Sequence, residues 1–417
     1  MTRLGGRTEA DATGPTASVG ASPGEVAGPK AAAVDRSTWS GPAHRRGPGP
    51  GALRDRLRPL VGLWRPLAIL VAARVAMYLA IFTFSHLFHH YTLNPWDGGW
   101  YVYAAQHGWP HHVKAGLGGA GQDTLAFFPA FPTVIRIVHF IVPVTWMRAG
   151  EAAAFLCEVA MVAGVWLLIR DLWGRSVADR GAVLLCFFPG SFILAMMYSE
   201  PLTIATAAFA MLALRRRQWV LAGVLSAVCA ATRVIGVAMI AACLWEALVV
   251  IRRERRWESL LSVAIAPLAV VAWFVYLWRS TGDWMAWLHT ERNGWAQHTT
   301  VMAIPDLIKA VAHTHPADMN EVLALAGTAL GIVLLIVLVA SRPPAMFTVY
   351  SAAVLVLAAT STNPAGIRFR FVLTAFPLVV VLGRYLKDAA LTVAVSMSSV
   401  VMGVILVVTL MGPALIP

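Results

Sequence analysis

Long apolar runs alternate with short arginine-rich segments along the chain, and this alternation restricts the possible folds more than any other feature. Several runs approach the roughly 20 residues that an α-helix needs to cross a bilayer. Their apolar residues are continuous, whereas the strands of a membrane β-barrel alternate. Charged residues make up 13% of the chain, against about 25% in soluble proteins. We therefore predict an all-α polytopic membrane protein.

The net charge is +12, which in a soluble domain would suggest a nucleic-acid partner. Here the arginines lie mostly in short clusters between apolar runs, as the positive-inside rule expects. We predict no nucleic-acid partner. The four cysteines, all within apolar segments and without a CxxC pair, are expected to be small buried hydrophobes; they are Cys157, Cys186, Cys229 and Cys243.

The residues that precede the first apolar run set the orientation. Residues 1–58 are rich in Ala, Gly and Pro and cannot bury a core, so we predict a disordered cytoplasmic tail. Arginines up to Arg65 precede the first predicted span, which begins at Leu67. Residues 59–417 are then the transmembrane domain, with a cytoplasmic N-terminal side.

Two basic clusters, 215–217 and 252–256, fix the remaining topology on the cytoplasmic side. Residues 218–251 between them must cross an even number of times, which predicts two short helices that meet at Thr232-Arg233. Segment 127–145 is long enough to span, but crossing would place the first cluster outside, so we predict an interfacial helix on the outer surface. The result is about eleven transmembrane helices with two external loops, 89–150 and 279–320. We predict a multi-pass protein of the plasma membrane.

The first external loop contains the stretch NPWDGGWY, residues 94–101. Asp followed by Gly-Gly is typical of a turn, because Asp bonds its own backbone and Gly tolerates positive φ. Trp96, Trp100 and Tyr101 are equally compatible with an interfacial aromatic belt. The alternative is that Asp97 is a functional acid. The adjacent pair His111–His112 has no carboxylate to complete a ligand set, and we predict no metal site.

Other charged residues fall on the same predicted face as Asp97. Glu200, within Tyr198-Ser199-Glu200, and Arg233 interrupt otherwise apolar sequence, and Arg368 and Arg370 precede a later span. Ionisable residues at membrane depth are costly and usually face a cavity or a partner. A structural Glu200–Arg233 pair, or snorkelling to the headgroups, is the alternative. Convergence on one face favours a shared site.

A carboxylate beside arginines suits transfer of a sugar from a lipid phosphate to a hydroxyl. The reaction needs a general base for the hydroxyl proton and cations for the departing phosphate. Asp97 fits the first role, and Arg233, Arg368 and Arg370 fit the second, since the guanidinium fork binds phosphate oxygens bidentately.

Five motifs, in order, resemble the PIG-V-type mannosyltransferases of the GT-C superfamily: WDGGWY (96–101), FFPAFP (127–132), YSEP (198–201), ATRVIG (231–236) and RFRFVLTAFPL (368–378). The resemblance covers roughly residues 60–390. It implies a GT-C-like fold with the active site in the first external loop. It also implies a polyprenyl-phosphate mannose donor and a catalytic acid at Asp97. The Gly-rich run 116–121 departs from the pattern and leaves the acceptor open.

The sequence therefore predicts a membrane glycosyltransferase that moves mannose or a related hexose from a polyprenyl phosphate to an extracytoplasmic acceptor, without a cofactor. Asp97 is the expected base and Glu200 a second catalytic candidate. Expected substrate contacts are Trp96, Trp100, Tyr101, Tyr198, Arg233, Arg368 and Arg370. The acceptor is an unknown glycan, lipid or protein. A lipid or sugar transporter is the alternative, and it would place its charges at the membrane midplane rather than around one outward cavity.

Overall fold

The computed structural model describes residues 62–87, 96–313, 318–362 and 368–411. The predicted tail, residues 1–58, lies outside the described residues. Within those ranges the chain forms seventeen α-helices and several short 3-10 turns. In order they are α1 (Trp64–Leu87), α2 (Asp97–His107), α3 (Ala130–Ile141), α4 (Trp146–Trp173), α5 (Arg175–Cys186), α6 (Glu200–Arg215), α7 (Trp219–Ala230), α8 (Ala238–Glu254), α9 (Leu260–Ile265), α10 (Leu268–Thr281), α11 (Ala286–Trp295), α12 (Ala303–His313), α13 (Met319–Ala340), α14 (Ala345–Ala359), α15 (Phe369–Thr374), α16 (Pro377–Val380) and α17 (Asp388–Met411).

Six stretches of helix in this part of the chain are long and apolar enough to cross a membrane. They are Trp64–His86, Trp146–Trp173, Val234–Glu254, Trp257–Thr281, Met319–Ala340 and Asp388–Leu410. A seventh span results if α5 and the following 3-10 turn, Pro189–Ala195, are counted together across their 73° bend. The prediction of an all-α polytopic membrane protein is confirmed. The count of eleven spans stays a prediction.

The core is built around α4 and α6, which pack closely because small residues line their contact. At Gly164 of α4, an added Cβ would lie 2.9 Å from the Phe209 ring of α6, so glycine permits the close approach. The largest of three apolar clusters among the described residues surrounds this pair and buries Trp166, Tyr198 and Tyr350 almost completely. The helices that carry the charged residues predicted for the site therefore pack against this core.

A buried ion pair fixes the segment that leads into YSEP. Arg74 of α1 donates to Glu158 of α4 at 2.8 Å and to the carbonyl of Leu194 at 2.6 Å. Glu158 is fully buried, so its charge needs this partner. The two bonds hold α1, α4 and the turn Pro189–Ala195 together, directly before Tyr198-Ser199-Glu200.

Helix α3 lies in the segment predicted to be interfacial. Its twelve residues span about 18 Å at 1.5 Å per residue, too short for a hydrocarbon core of about 30 Å. Its polar residue Arg136 faces the protein and donates to the carbonyl of Ala105 at the end of α2. Ile137, Phe140 and Ile141 are exposed instead. The outward side of α3 is thus apolar, and its position on the outer membrane surface stays a prediction.

Candidate active site

Arg233 lies at a break between two apolar helices, as the sequence predicts for Thr232-Arg233. Helix α7 ends at Ala230, and a 3-10 turn, Val234–Val237, precedes α8. The break depends on Gly236, because an added Cβ there would lie 1.9 Å from the carbonyl oxygen of Cys229. Released from the helix, Arg233 forms an ion pair with the Glu200 carboxylate.

Glu200 is fully buried at the first turn of α6, where the helix dipole favours a negative charge. Two guanidinium groups surround it. Arg233 is one, and Nη1 of Arg370 lies 3.7 Å from Oε1 of Glu200. The same Nη1 lies 3.6 Å from Oδ2 of Asp97. Arg370 therefore connects the buried carboxylate to Asp97.

Arg370 is well buried, with 8% of its surface exposed. Its Nε and Nη1 make no hydrogen bond within the described part of the chain, although both carboxylates are near. Its guanidinium carbon lies 5.8 Å from the centroid of Tyr198 and 4.9 Å from that of Phe371, within cation–π range.

Asp97 begins α2, so Asp97-Gly98-Gly99 is the first turn of a helix rather than an isolated β-turn. Trp96 precedes it with a positive φ of 45°. The indole of Trp96 donates to the carbonyl of Thr409 on α17 at 3.1 Å and helps to fix this entry. Gly98 is needed for packing, since an added Cβ would lie 3.2 Å from Met197.

A cavity of about 620 Å³ opens beside these groups. Seven of the nine predicted site residues line it: Trp96, Asp97, Trp100, Tyr101, Arg233, Arg368 and Arg370. The other two, Glu200 and Tyr198, are fully buried behind the wall and do not line the cavity. Their position makes them supports for Arg233 and Arg370. The structure thus brings all nine residues into one region, from four separated segments of sequence.

The charges of the wall influence one another. Burial lowers the pKa of Arg368, the neighbouring Arg370 lowers it further, and Asp97 opposes both. Burial also acts to lower the pKa of Arg233, but the Glu200 carboxylate, together with Tyr101 and Asp97, outweighs it, so this pKa is raised overall. For Tyr101, burial raises the pKa of the phenol, whose hydroxyl lies 2.8 Å from the Ser199 hydroxyl.

Sequence reasoning missed a second part of the cavity wall. It comes from loop 279–320, where α11 contributes Trp287, Glu291 and Trp295 and the residues after the helix contribute Gln297. The loop was predicted to be external and rich in tryptophan, but nothing in its sequence showed which side chains turn toward Asp97. Trp295 meets Trp100 and Phe127 in an aromatic cluster, with ring centroids 5.8 and 5.6 Å apart. Such faces suit sugar rings or isoprenoid chains.

Helix α11 is held against the first loop by direct backbone contact. An added Cβ at Gly294 would lie 2.9 Å from the Cα of Gln122, and the Trp287 indole donates to the carbonyl of Ala126 at 3.2 Å. The two loops therefore form one wall. No group of three or more His, Cys, Asp or Glu side chains suited to a metal ion occurs in residues 62–87, 96–313, 318–362 and 368–411.

Chemically, the site combines a carboxylate on the cavity surface with three arginines and an aromatic wall. Asp97 is partly exposed, with 30% of its side chain accessible. It can accept a proton from a ligand hydroxyl. The arginines can hold a phosphate or another anion a short distance away.

Comparison with solved structures finds chains of similar fold. ArnT from Cupriavidus metallidurans bound to undecaprenyl phosphate superposes with a TM-score of 0.48 and 16% identity, over 76% of this chain and 59% of that chain. The Archaeoglobus fulgidus oligosaccharyltransferase in the apo form superposes with a TM-score of 0.46 and 13% identity, over 84% and 56% of the two chains. The chain thus spans less than three fifths of these two proteins.

No family model matches the chain. No curated protein matches it either. The resemblance to PIG-V-type mannosyltransferases stays an expectation from the sequence motifs.

Proposed function

We propose that the protein is a glycosyltransferase that moves a sugar from a polyprenyl phosphate to an acceptor hydroxyl at the cavity lined by Asp97. The observation that carries the proposal is the Asp97–Arg370–Glu200 arrangement. One guanidinium nitrogen lies 3.6 Å from the cavity carboxylate and 3.7 Å from the buried one. It thereby places a cation directly beside a candidate base.

The phosphate of the donor would bind to the arginines. Arg370 has donor atoms without a hydrogen bond among the described residues, and Arg233 and Arg368 line the same cavity. Placed there before the reaction, these cations would stabilise the charge that grows on the phosphate as the sugar leaves. Glu200 neutralises part of their charge from behind, so we assign it a positioning role rather than contact with the reacting atoms.

In the transfer step, the acceptor oxygen attacks the anomeric carbon of the sugar while Asp97 takes the hydroxyl proton. The bond between this carbon and the phosphate oxygen breaks, and its electron pair stays with the polyprenyl phosphate. A single displacement of this kind inverts the anomeric configuration. The rings of Trp96, Trp100 and Tyr101, which line the cavity, would contact sugar or isoprenoid.

Mannose or a related hexose is the sugar that we propose, because the five motifs resemble PIG-V-type mannosyltransferases. Reaction at the extracytoplasmic face of the plasma membrane follows from the predicted topology. The acceptor is an extracytoplasmic glycan, lipid or protein. The alternative, a transporter or flippase, requires charges at the membrane midplane and no bond cleavage.

The proposal is tested by sugar transfer in membranes that contain the protein, supplied with labelled polyprenyl-phosphate mannose. We expect wild type to transfer label and Asp97→Asn to lose about 10²–10⁴-fold of the rate, the usual contribution of a general base. Protein level is measured in parallel. Full activity in Asp97→Asn would refute the assignment of the base, and movement of intact donor without cleavage would favour the transporter.

A further inference from the structure

Glu291 is an acidic residue of the cavity to which the transfer mechanism above gives no role. It lies on α11 and lines the cavity together with Asp97. Its helix is fixed from two sides, since the Trp287 indole and the Asn293 amide donate to carbonyls of the first loop, at Ala126 and Lys114. Glu291 is therefore a built part of the cavity wall.

The charges that act on Glu291 are those of Asp97, Arg233 and Arg370. Glu291 is partly buried. This burial, followed by the negative charge of Asp97, raises the pKa of Glu291 to about 8, against the opposing charges of Arg233 and Arg370. Other charged groups near α11 are engaged elsewhere or exposed. On the packed loop, Lys114 pairs with Asp123 at 3.3 Å; on α11 itself, His289 pairs with Asp283 at 2.6 Å and Arg292 is exposed, as is Arg279 of α10.

Two carboxyl groups in one cavity tend to separate their proton affinities, because ionising both costs Coulomb energy. Asp97 has the cation Arg370 at 3.6 Å, whereas none of the ion pairs in residues 62–87, 96–313, 318–362 and 368–411 includes Glu291. With a raised pKa and no cationic partner among these ion pairs, Glu291 is expected to be protonated near neutral pH. A protonated carboxyl has one O–H donor, which a carboxylate lacks.

We propose that Glu291 contacts the phosphosugar donor and acts as a neutral hydrogen-bond donor to one of its oxygens, and that its ionisation in alkali weakens donor binding by repelling the phosphate. This inference rests on the proposed function, because it takes the donor to be a sugar on a polyprenyl phosphate. The site thereby divides its two carboxyl groups, with Asp97 as proton acceptor and Glu291 as proton holder.

The direction of the pH dependence follows from the protonation state. Below the pKa of Glu291 the carboxyl is neutral and donates; above it, the cavity gains a second negative charge beside an anionic ligand. Donor binding is therefore strongest near neutral pH and falls as pH rises through about 8. The phosphodiester of the donor has no second ionisation, so its own charge stays constant over this range.

The test is the affinity of purified protein for polyprenyl-phosphate mannose without acceptor, measured from about pH 6 to about pH 9.5, a range that covers the shifted carboxyl but not ordinary Asp or Glu. For wild type we expect an approximately tenfold loss of affinity on the alkaline side, equivalent to about 1.4 kcal/mol. Glu291→Gln stays neutral and should lack this loss. Any effect of other titrating groups appears equally in both proteins.

Two further variants complete the design. Glu291→Asp retains an ionisable group and should retain an alkaline loss, which controls for misfolding of the Gln variant. Glu258→Gln changes an exposed glutamate outside the cavity and should follow wild type. Parallel profiles for wild type and Glu291→Gln would overturn the inference alone. No binding of the probe by wild type would overturn both this inference and the proposed function.

Discussion

The Glu200–Arg233 pair should be strongly coupled, because removal of one partner leaves a buried charge without neutralisation. Glu200 is fully buried and 16% of the Arg233 side chain is exposed. Loss of one member of a buried pair typically costs about 3–5 kcal/mol, whereas replacement of both by apolar residues is often nearly neutral. When Glu200 is lost, Arg370 still has Asp97 as an anionic partner. Most of the free-energy cost therefore comes from the unpaired charge of Arg233.

A double-mutant cycle with Glu200→Leu, Arg233→Leu and the double variant measures this coupling. At about 2 °C per kcal/mol, the scale for large domains, each single change should lower the melting midpoint of the purified protein by about 6–10 °C. The double variant should be clearly more stable than the sum of the two losses predicts. The coupling energy should reach about 2 kcal/mol or more, within the range for contacting groups.

A matched control is the pair of Arg215 and Asp171, whose side chains are 31% and 36% exposed at 2.9 Å. The same cycle there should give a coupling of only about 0–1 kcal/mol, because water screens exposed charges. If the losses at Glu200 and Arg233 simply add, the pair does not support the site electrostatically, and the positioning role of Glu200 is wrong.

Two more predictions concern the cavity walls. Arg370→Lys keeps the positive charge but loses the forked donors of the guanidinium group. We expect kcat for transfer to fall by about 10²-fold, as for loss of one transition-state hydrogen-bond donor. An unchanged kcat would mean that the phosphate binds elsewhere. Gly294→Ala places a Cβ 2.9 Å from the Cα of Gln122, and relieving this contact requires the backbone to shift. It should cost about 1–3 kcal/mol in thermal stability and lower transfer. The control Gly119→Ala, with open space at its Cβ, should match wild type in both assays.

Hydropathy and charge alone predicted the all-α membrane class correctly, because about 20 continuous apolar residues have few other solutions. The helix break at Thr232-Arg233 was also predicted, since an arginine interrupts an apolar run there. These features are local in sequence. The number of spans was not fixed in this way, because short apolar helices such as α7 and α14 carry the same signal as spans.

The candidate site was predictable where unusual residues interrupt apolar sequence, as at Glu200, Arg233 and Arg370. Its depth was not. Nothing in the sequence distinguishes the buried Glu200 from the cavity-lining Asp97, since this difference depends on how α2, α6 and α15 pack. Glu291 was missed for a related reason: it lies in a polar loop, where a glutamate is ordinary until α11 folds over the cavity.

The central claim is that donor cleavage and sugar transfer occur at the cavity beside Asp97. The most direct measurement uses purified protein in liposomes with polyprenyl-phosphate mannose and a membrane extract as acceptor source, and quantifies released polyprenyl phosphate together with transferred sugar. We predict equal amounts of both products for wild type, and formation of both about 10²–10⁴-fold slower for Asp97→Asn at equal protein. Equal product formation by Asp97→Asn, or donor that crosses the bilayer uncleaved, would contradict it.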